Sequence, residues 1–149
     1  MRSYTVTRWA HPMERIDGPT PTPQGTEVLI RVTAAGVCHS DIHIHDGYYD
    51  LGGGRTLTME ERGMRLPLTM GHETAGIVDA VGPGASGIAP GTTVVVYPWI
   101  GCGACDACAR GEEQNCPAPC TLGIRTHGGY ATHMLVPHPR YLLPLGDLP

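Results

Sequence analysis

The chain has 149 residues, 41% of them hydrophobic, and a formal net charge of −4. That is enough for one domain with a real core, and too mild a charge to point to nucleic acid or an anionic membrane as partner. All ten basic residues are arginine, so Schiff-base chemistry and a phosphate-binding Walker lysine are excluded within this sequence.

In chain order, Ser3 to Trp9 alternates and is β-branched, which predicts a strand. Asp17 to Gly25 is a proline-rich connector, and Glu27 to Val37 predicts a strand that delivers Cys38 at its end. Ser40 to Asp46 suits a short helix with Ser40 as N-cap. Leu51 to Pro67 reads as a long surface segment with a helical turn at Met59-Glu60-Glu61-Arg62. Thr74–Val81 and Thr92–Trp99 predict strands, the second nearly all apolar and therefore buried, and Tyr130–Val136 and Tyr141–Leu145 predict the last two. With 21 glycines, 14 prolines and no phenylalanine, the pattern is mainly β, with a core of Val, Ile, Leu and Met. Gly82-Pro83-Gly84-Ala85-Ser86-Gly87 matches a dinucleotide fingerprint, but Pro83, Pro90 and Gly91 leave no room for the helix it needs, so a plain turn is expected.

No run of about 20 apolar residues is present, so no membrane span is expected. The first residues lack the apolar stretch of a secretory signal. Six cysteines could suit a secreted disulfide scaffold, but their spacing and the missing signal favour reduced thiols in a cytoplasm. Four of them, Cys102, Cys105, Cys108 and Cys116, form C-x2-C-x2-C-x7-C. Thiolates packed this closely suit a tetrahedral structural zinc, with a pair of disulfides or a chance cluster of thiols as the alternatives. The lobe carries Asp106, Glu112 and Glu113 against Arg110 alone, which argues against a nucleic-acid-binding zinc ribbon.

A second group of donors lies outside this run: Cys38, followed by His39-Ser40-Asp41-Ile42-His43, and Gly71-His72-Glu73. A thiolate, an imidazole and a carboxylate from separate segments suit a zinc with an open position, which binds an alcohol and lowers its pKa. Ser40 and His43 are natural proton carriers, and Asp41 could orient His72. A small core cysteine and a structurally satisfied histidine are the plain alternative.

Gly36-Val37-Cys38-His39-Ser40-Asp41, Gly71-His72-Glu73 and the cysteine run, in this order, resemble zinc-dependent medium-chain alcohol dehydrogenases of the bacterial and archaeal branch. The resemblance runs from about Tyr4 to Leu145 and includes Tyr97-Pro98-Trp99 and Gly128-Gly129-Tyr130-Ala131. It implies a GroES-like, partly open β-barrel spanning residues 1–149, with short helices and a zinc-binding lobe at about 100–118. It further implies that Cys38 and His72 are catalytic zinc ligands, with Glu73 able to swing onto the metal. Ser40 and His43 would form the proton relay, Asp41 would support His72, and His39 would face the cofactor pyrophosphate. Trp99 and Thr121 would line the substrate pocket, the four lobe cysteines would bind the structural zinc, and Cys120 would be a free thiol. The implied reaction converts an alcohol to an aldehyde or ketone with hydride passing to NAD or NADP, in a dimer or tetramer.

Family members continue into a nucleotide-binding Rossmann domain, and their third catalytic-zinc ligand is a cysteine beyond the segment matched here. The isolated chain is therefore expected to lack meaningful dehydrogenase activity, with an exposed apolar face that promotes association or disorder near the C-terminus. The rival expectation is a non-enzymatic, zinc-stabilised GroES-like module.

Overall fold

Short aliphatic and β-branched runs separated by glycine and proline turns form ten strands among residues 1–146, which a computed structural model describes. They are β1 (Arg2–Val6), β2 (Glu14–Asp17), β3 (Val28–Ala35), β4 (Tyr48–Gly52), β5 (Arg55–Thr58), β6 (Leu68–Thr69), β7 (Thr74–Val81), β8 (Thr93–Val96), β9 (His133–Val136) and β10 (Leu142–Pro144). Two helices, α1 (His39–Asp46) and α2 (Asp106–Ala109), and two 3-10 turns complete the described elements. None of the described helices is long and apolar enough to cross a membrane.

The main sheet has the order β10-β8-β7-β3-β9, with every pairing antiparallel. A second sheet has the order β2-β1-β6, and β4 and β5 form a separate two-stranded hairpin. Two apolar clusters fill the interior. One joins Val28, Ile30, Val78, Val94, Val96, Met134 and Val136 of the main sheet to Ile100, Leu122, Tyr141 and Leu142. The other gathers Val6, Ile44, Met59, Met64, Leu68 and Met70, so methionine fills volume that phenylalanine could otherwise take.

The β3–β7 pairing determines where the chemistry sits. Ala35 at the end of β3 pairs with Thr74 at the start of β7. The residues leaving β3 (Gly36 to Cys38) and those entering β7 (His72 and Glu73) therefore meet at one end of the β3–β7 ladder, where the Gly36 N–H donates to the Glu73 carbonyl.

Several expectations need correction. β1 ends at Val6, not Trp9, and β2 arises in a segment with no strand signal because all four of its residues are exposed. The helix cap is Cys38, not Ser40: its backbone is extended (φ −96°, ψ 157°) and its N–H donates to Asp41 Oδ2 at 2.9 Å. Gly47 ends the helix in the left-handed region at φ 87°, where an added Cβ would stand 2.8 Å from Trp9 Cβ. The segment expected to run over the surface from Leu51 to Pro67 instead supplies β5 and two core residues, Met59 and Met64. Its helical turn is present, with Arg62 N–H donating to the Thr58 carbonyl. β8 stops at Val96, and Tyr97 and Trp99 are exposed instead of buried. The Gly82–Gly87 turn packs on Gln24 and Gly25, with no helix after it. The expected C-terminal disorder falls on residues 147–149, outside the described residues.

Candidate metal centres and substrate pocket

Between Gly101 and Pro119 only Cys116 is buried, so apolar packing cannot hold this lobe in shape. What it does have is four convergent sulfurs. Single ligand atoms of Cys102, Cys105, Cys108 and Cys116 all lie within 4.8 Å of one another. Cys105 Sγ is 3.5 Å from Cys108 Sγ and 3.8 Å from Cys116 Sγ. Four sulfurs about 2.3 Å from a central zinc would be roughly 3.8 Å apart, whereas a disulfide requires about 2.05 Å. The donor set fits a closed tetrahedral ion, and all six cysteines of the chain are free thiols.

The surrounding backbone favours thiolate. Cys102 and Ala118 N–H groups donate to Cys116 Sγ at 3.2 and 3.4 Å. Backbone N–H groups of Ala104 and Cys105 pull the Cys102 thiol down to about 6. Desolvation and the neighbouring thiols push Cys108 up to about 11. Gly101 is required because a Cβ there would stand 2.3 Å from Cys108 Sγ.

The second centre sits at that end of the β3–β7 ladder, where donor atoms of Cys38, His72 and Glu73 lie within 4.8 Å of one another. Asp41 stands behind it, 3% exposed, bonded through Oδ2 to the Cys38 N–H and facing His72 Nδ1 through Oδ1 at 3.5 Å. Those two facing atoms are buried and have no hydrogen-bond partner at closer range. With Nδ1 turned to Asp41, Nε2 is the ring nitrogen left for an ion. Asp41 pushes the His72 imidazole up to about 9 from its ordinary 6.5, against the effect of burial. Burial acts to raise the Asp41 carboxyl, but His72 and the Cys38 N–H outweigh it and hold it below 3.8. The Cys38 thiol is lowered by hydrogen bonds from Ser40 and from His72, with Ser40 Oγ at 3.7 Å from Cys38 Sγ.

Tight glycine packing aims His72. A Cβ on Gly128 would stand 2.2 Å from the Gly71 carbonyl oxygen and 2.4 Å from Gly123 Cα. Gly71 itself has φ 93° and lies against the Tyr130 ring. Tyr130 is a residue whose part in the site was not anticipated: its hydroxyl donates to the Gly36 carbonyl at 3.2 Å, tying the β3 exit to this glycine cluster. Burial raises its phenol above the ordinary range, so it stays a donor. The Gly128-Gly129-Tyr130 motif was the available signal.

A pocket of about 190 Å³ opens beside the second centre, lined by Ser40 and His72 together with Trp99 and Thr121. Tyr49, Arg62 and Arg125 also line it, and these were not foreseen. His43 stacks on His39 with ring centroids 4.7 Å apart and leans on Tyr49 at 4.5 Å. It has no hydrogen bond to Ser40 among the described residues. His39 is exposed, as is Cys120. A larger groove of about 790 Å³ lies elsewhere, between the β1–β2 hairpin, β9 and the root of the lobe. It is lined mainly by apolar groups and by none of Cys38, Ser40 or His72, so of the two only the smaller pocket adjoins the second donor cluster.

Residues 24–147 match the family described as the alcohol dehydrogenase GroES-like domain. The chain belongs to that family. The GroES-like domain is 43% identical over 148 residues to an NAD-dependent alcohol dehydrogenase of Sulfurisphaera tokodaii, covering 99% of this chain and 42% of the relative. The alcohol dehydrogenase of Aeropyrum pernix superposes with a TM-score of 0.84 at 28% identity, over 100% of this chain and 41% of that one. A cobalt- and zinc-bound alcohol dehydrogenase from Pyrobaculum aerophilum gives 0.79 at 30% identity, over 99% and 42%. The GroES-like domain thus spans about two-fifths of the length of the relatives it matches.

Proposed function

We propose that this GroES-like domain carries the zinc centres and the alcohol pocket of an NAD(P)-dependent alcohol dehydrogenase. The observation that carries this reading is the meeting of Cys38, His72 and Glu73 beside a pocket that Ser40 and His72 share. Convergent donors at an open pocket suit a catalytic ion, whereas the lobe's four sulfurs close around theirs. The cobalt and zinc bound by the Pyrobaculum aerophilum relative and the NAD dependence of the Sulfurisphaera tokodaii one support zinc and a nicotinamide.

Zinc at this position supplies a Lewis acid that lowers the pKa of an alcohol hydroxyl held beside it. Cys38 and His72 would hold the ion, and the exposed Glu73 would offer a further carboxylate. Asp41 keeps the His72 ring oriented through Nδ1. Ser40 Oγ accepts the substrate proton, and His43, one helical turn on, passes it outward after a rotation that brings the two together. Trp99 and Thr121 wall the pocket and exclude water from the carbon that gives up its hydride. His39, exposed at the start of α1, faces the cofactor pyrophosphate.

The rival reading, a purely structural zinc module, leaves the second donor cluster and the pocket beside it without a purpose. The test is a fusion of this domain to the remainder of the Sulfurisphaera tokodaii relative. Alcohol-dependent NADH formation, abolished by Cys38→Ser and by His72→Ala, is the expected result. A fusion that binds NADH but forms none with any alcohol, with zinc only in the lobe, would refute it.

A further inference from the structure

The pocket beside His72 has an electrostatic bias that its catalytic residues do not explain. Two of its lining side chains are arginines, Arg62 and Arg125, and no aspartate or glutamate lines it. The two are held together: Arg125 Nη2 donates to the Arg62 carbonyl at 2.8 Å, and the Arg62 guanidinium stacks on the Tyr49 ring at 4.8 Å. Gly63 leaves room for this, since a Cβ there would stand 3.1 Å from Arg125 Nη1.

Neither guanidinium takes part in an ion pair among the described residues. The neighbouring acids are engaged elsewhere. Glu61 accepts from the Thr58 N–H and hydroxyl at 2.8 Å, and Glu60 accepts from Trp9 Nε1 at 3.3 Å. Two like charges beside one small pocket repel each other unless an anion lies between them. Arginine's planar fork matches the paired oxygens of a carboxylate or phosphate. The pocket these arginines line has a volume of about 190 Å³.

We propose that the alcohol this site takes carries an anionic group, a carboxylate or a phosphate, held by Arg62 and Arg125 while its hydroxyl lies at Ser40 and His72. This specificity rests on the dehydrogenase reading above. It separates the substrate from simple neutral alcohols.

The test is calorimetric titration of the zinc-loaded chain with matched pairs: 3-hydroxybutyrate against 3-hydroxybutanamide, and glycerol 3-phosphate against glycerol. One anion should bind at least about tenfold tighter than its neutral partner, and the pair that shows this identifies carboxylate or phosphate. Both arginines are exposed, so the preference should shrink as salt rises. Arg62→Gln and Arg125→Gln should each reduce it several-fold, and Arg125→Lys by less. Should a glutamine variant lose its zinc, the salt series on the unaltered chain decides the matter alone. Equal binding of anion and neutral partner, a preference indifferent to salt, or no anion binding overturns the proposal. If the fusion to the remainder of the Sulfurisphaera tokodaii relative still forms NADH from an alcohol in that case, the dehydrogenase reading stands; a fusion that forms none with any alcohol defeats both.

Discussion

Asp41 links the helix cap to the metal centre, because one carboxylate serves both the Cys38 N–H and the His72 ring. Asp41→Asn keeps the shape and removes the charge. Zinc affinity at Cys38 and His72 should fall about 10- to 100-fold, read by chelator competition, with the lobe ion unaffected. The same pair sets a pH window. His72, raised from 6.5 to about 9, contributes stability to the metal-free chain that is complete below 6.5 and lost as pH rises through 9. Asp41, held below 3.8, contributes stability present above that value and lost as pH falls further. Denaturation midpoints of the metal-free chain minus those of His72→Asn should therefore be largest between about pH 4 and 6.5. Zinc uptake runs the other way, strengthening up to about pH 9 as His72 gives up its proton. Donor chemistry at this scale was legible in the sequence, since Cys38, His72 and Glu73 sit in short motifs. Arg62 and Arg125 were not, because they stand 63 residues apart and only the folded chain brings them to one pocket.

At the scale of elements, strands with a continuous apolar or β-branched run were legible, as Thr74–Val81 shows by forming β7 with those very ends. β2 was not, because its four exposed residues earn strand geometry only by pairing with β1. The β4–β5 hairpin did carry a signal in Gly52-Gly53-Gly54, all at positive φ, between flanking β-formers. The glycine cluster that aims His72 gives the sharpest element-level prediction. Gly128→Ala drives a Cβ into backbone atoms of Gly71 and Gly123, which cannot swing aside as a side-chain tip can. It should destabilise the domain by about 3 kcal/mol, the upper range for overpacking, in a urea titration. Gly18→Ala, where a Cβ meets nothing within 4 Å, should stay within about 0.5 kcal/mol of the parent.

For the whole molecule, apolar burial is uneven: the sheet has a packed core and the lobe does not. The core cluster draws on β3, β7, β8, β9 and β10, while the lobe has one buried residue, Cys116. Stripping zinc with a strong chelator should abolish amide protection across residues 101–118 and spare the sheet, as hydrogen exchange would show. Loss of protection in both at once would mean that the lobe ion supports the entire fold.

The antiparallel union of β3 and β7 also bears on timing. Cys38 and His72 are separated by a long loop that holds α1, β4, β5 and β6, yet they become neighbours when Ala35 pairs with Thr74. The two ligands therefore have no proximity in a nascent chain. They gain it only when a non-local ladder closes, which is a late and slow event in folding. The lobe, with all four thiols inside one short stretch, has no such wait. During synthesis an ion can be caught first by the lobe thiols, and only afterwards by Cys38 and His72.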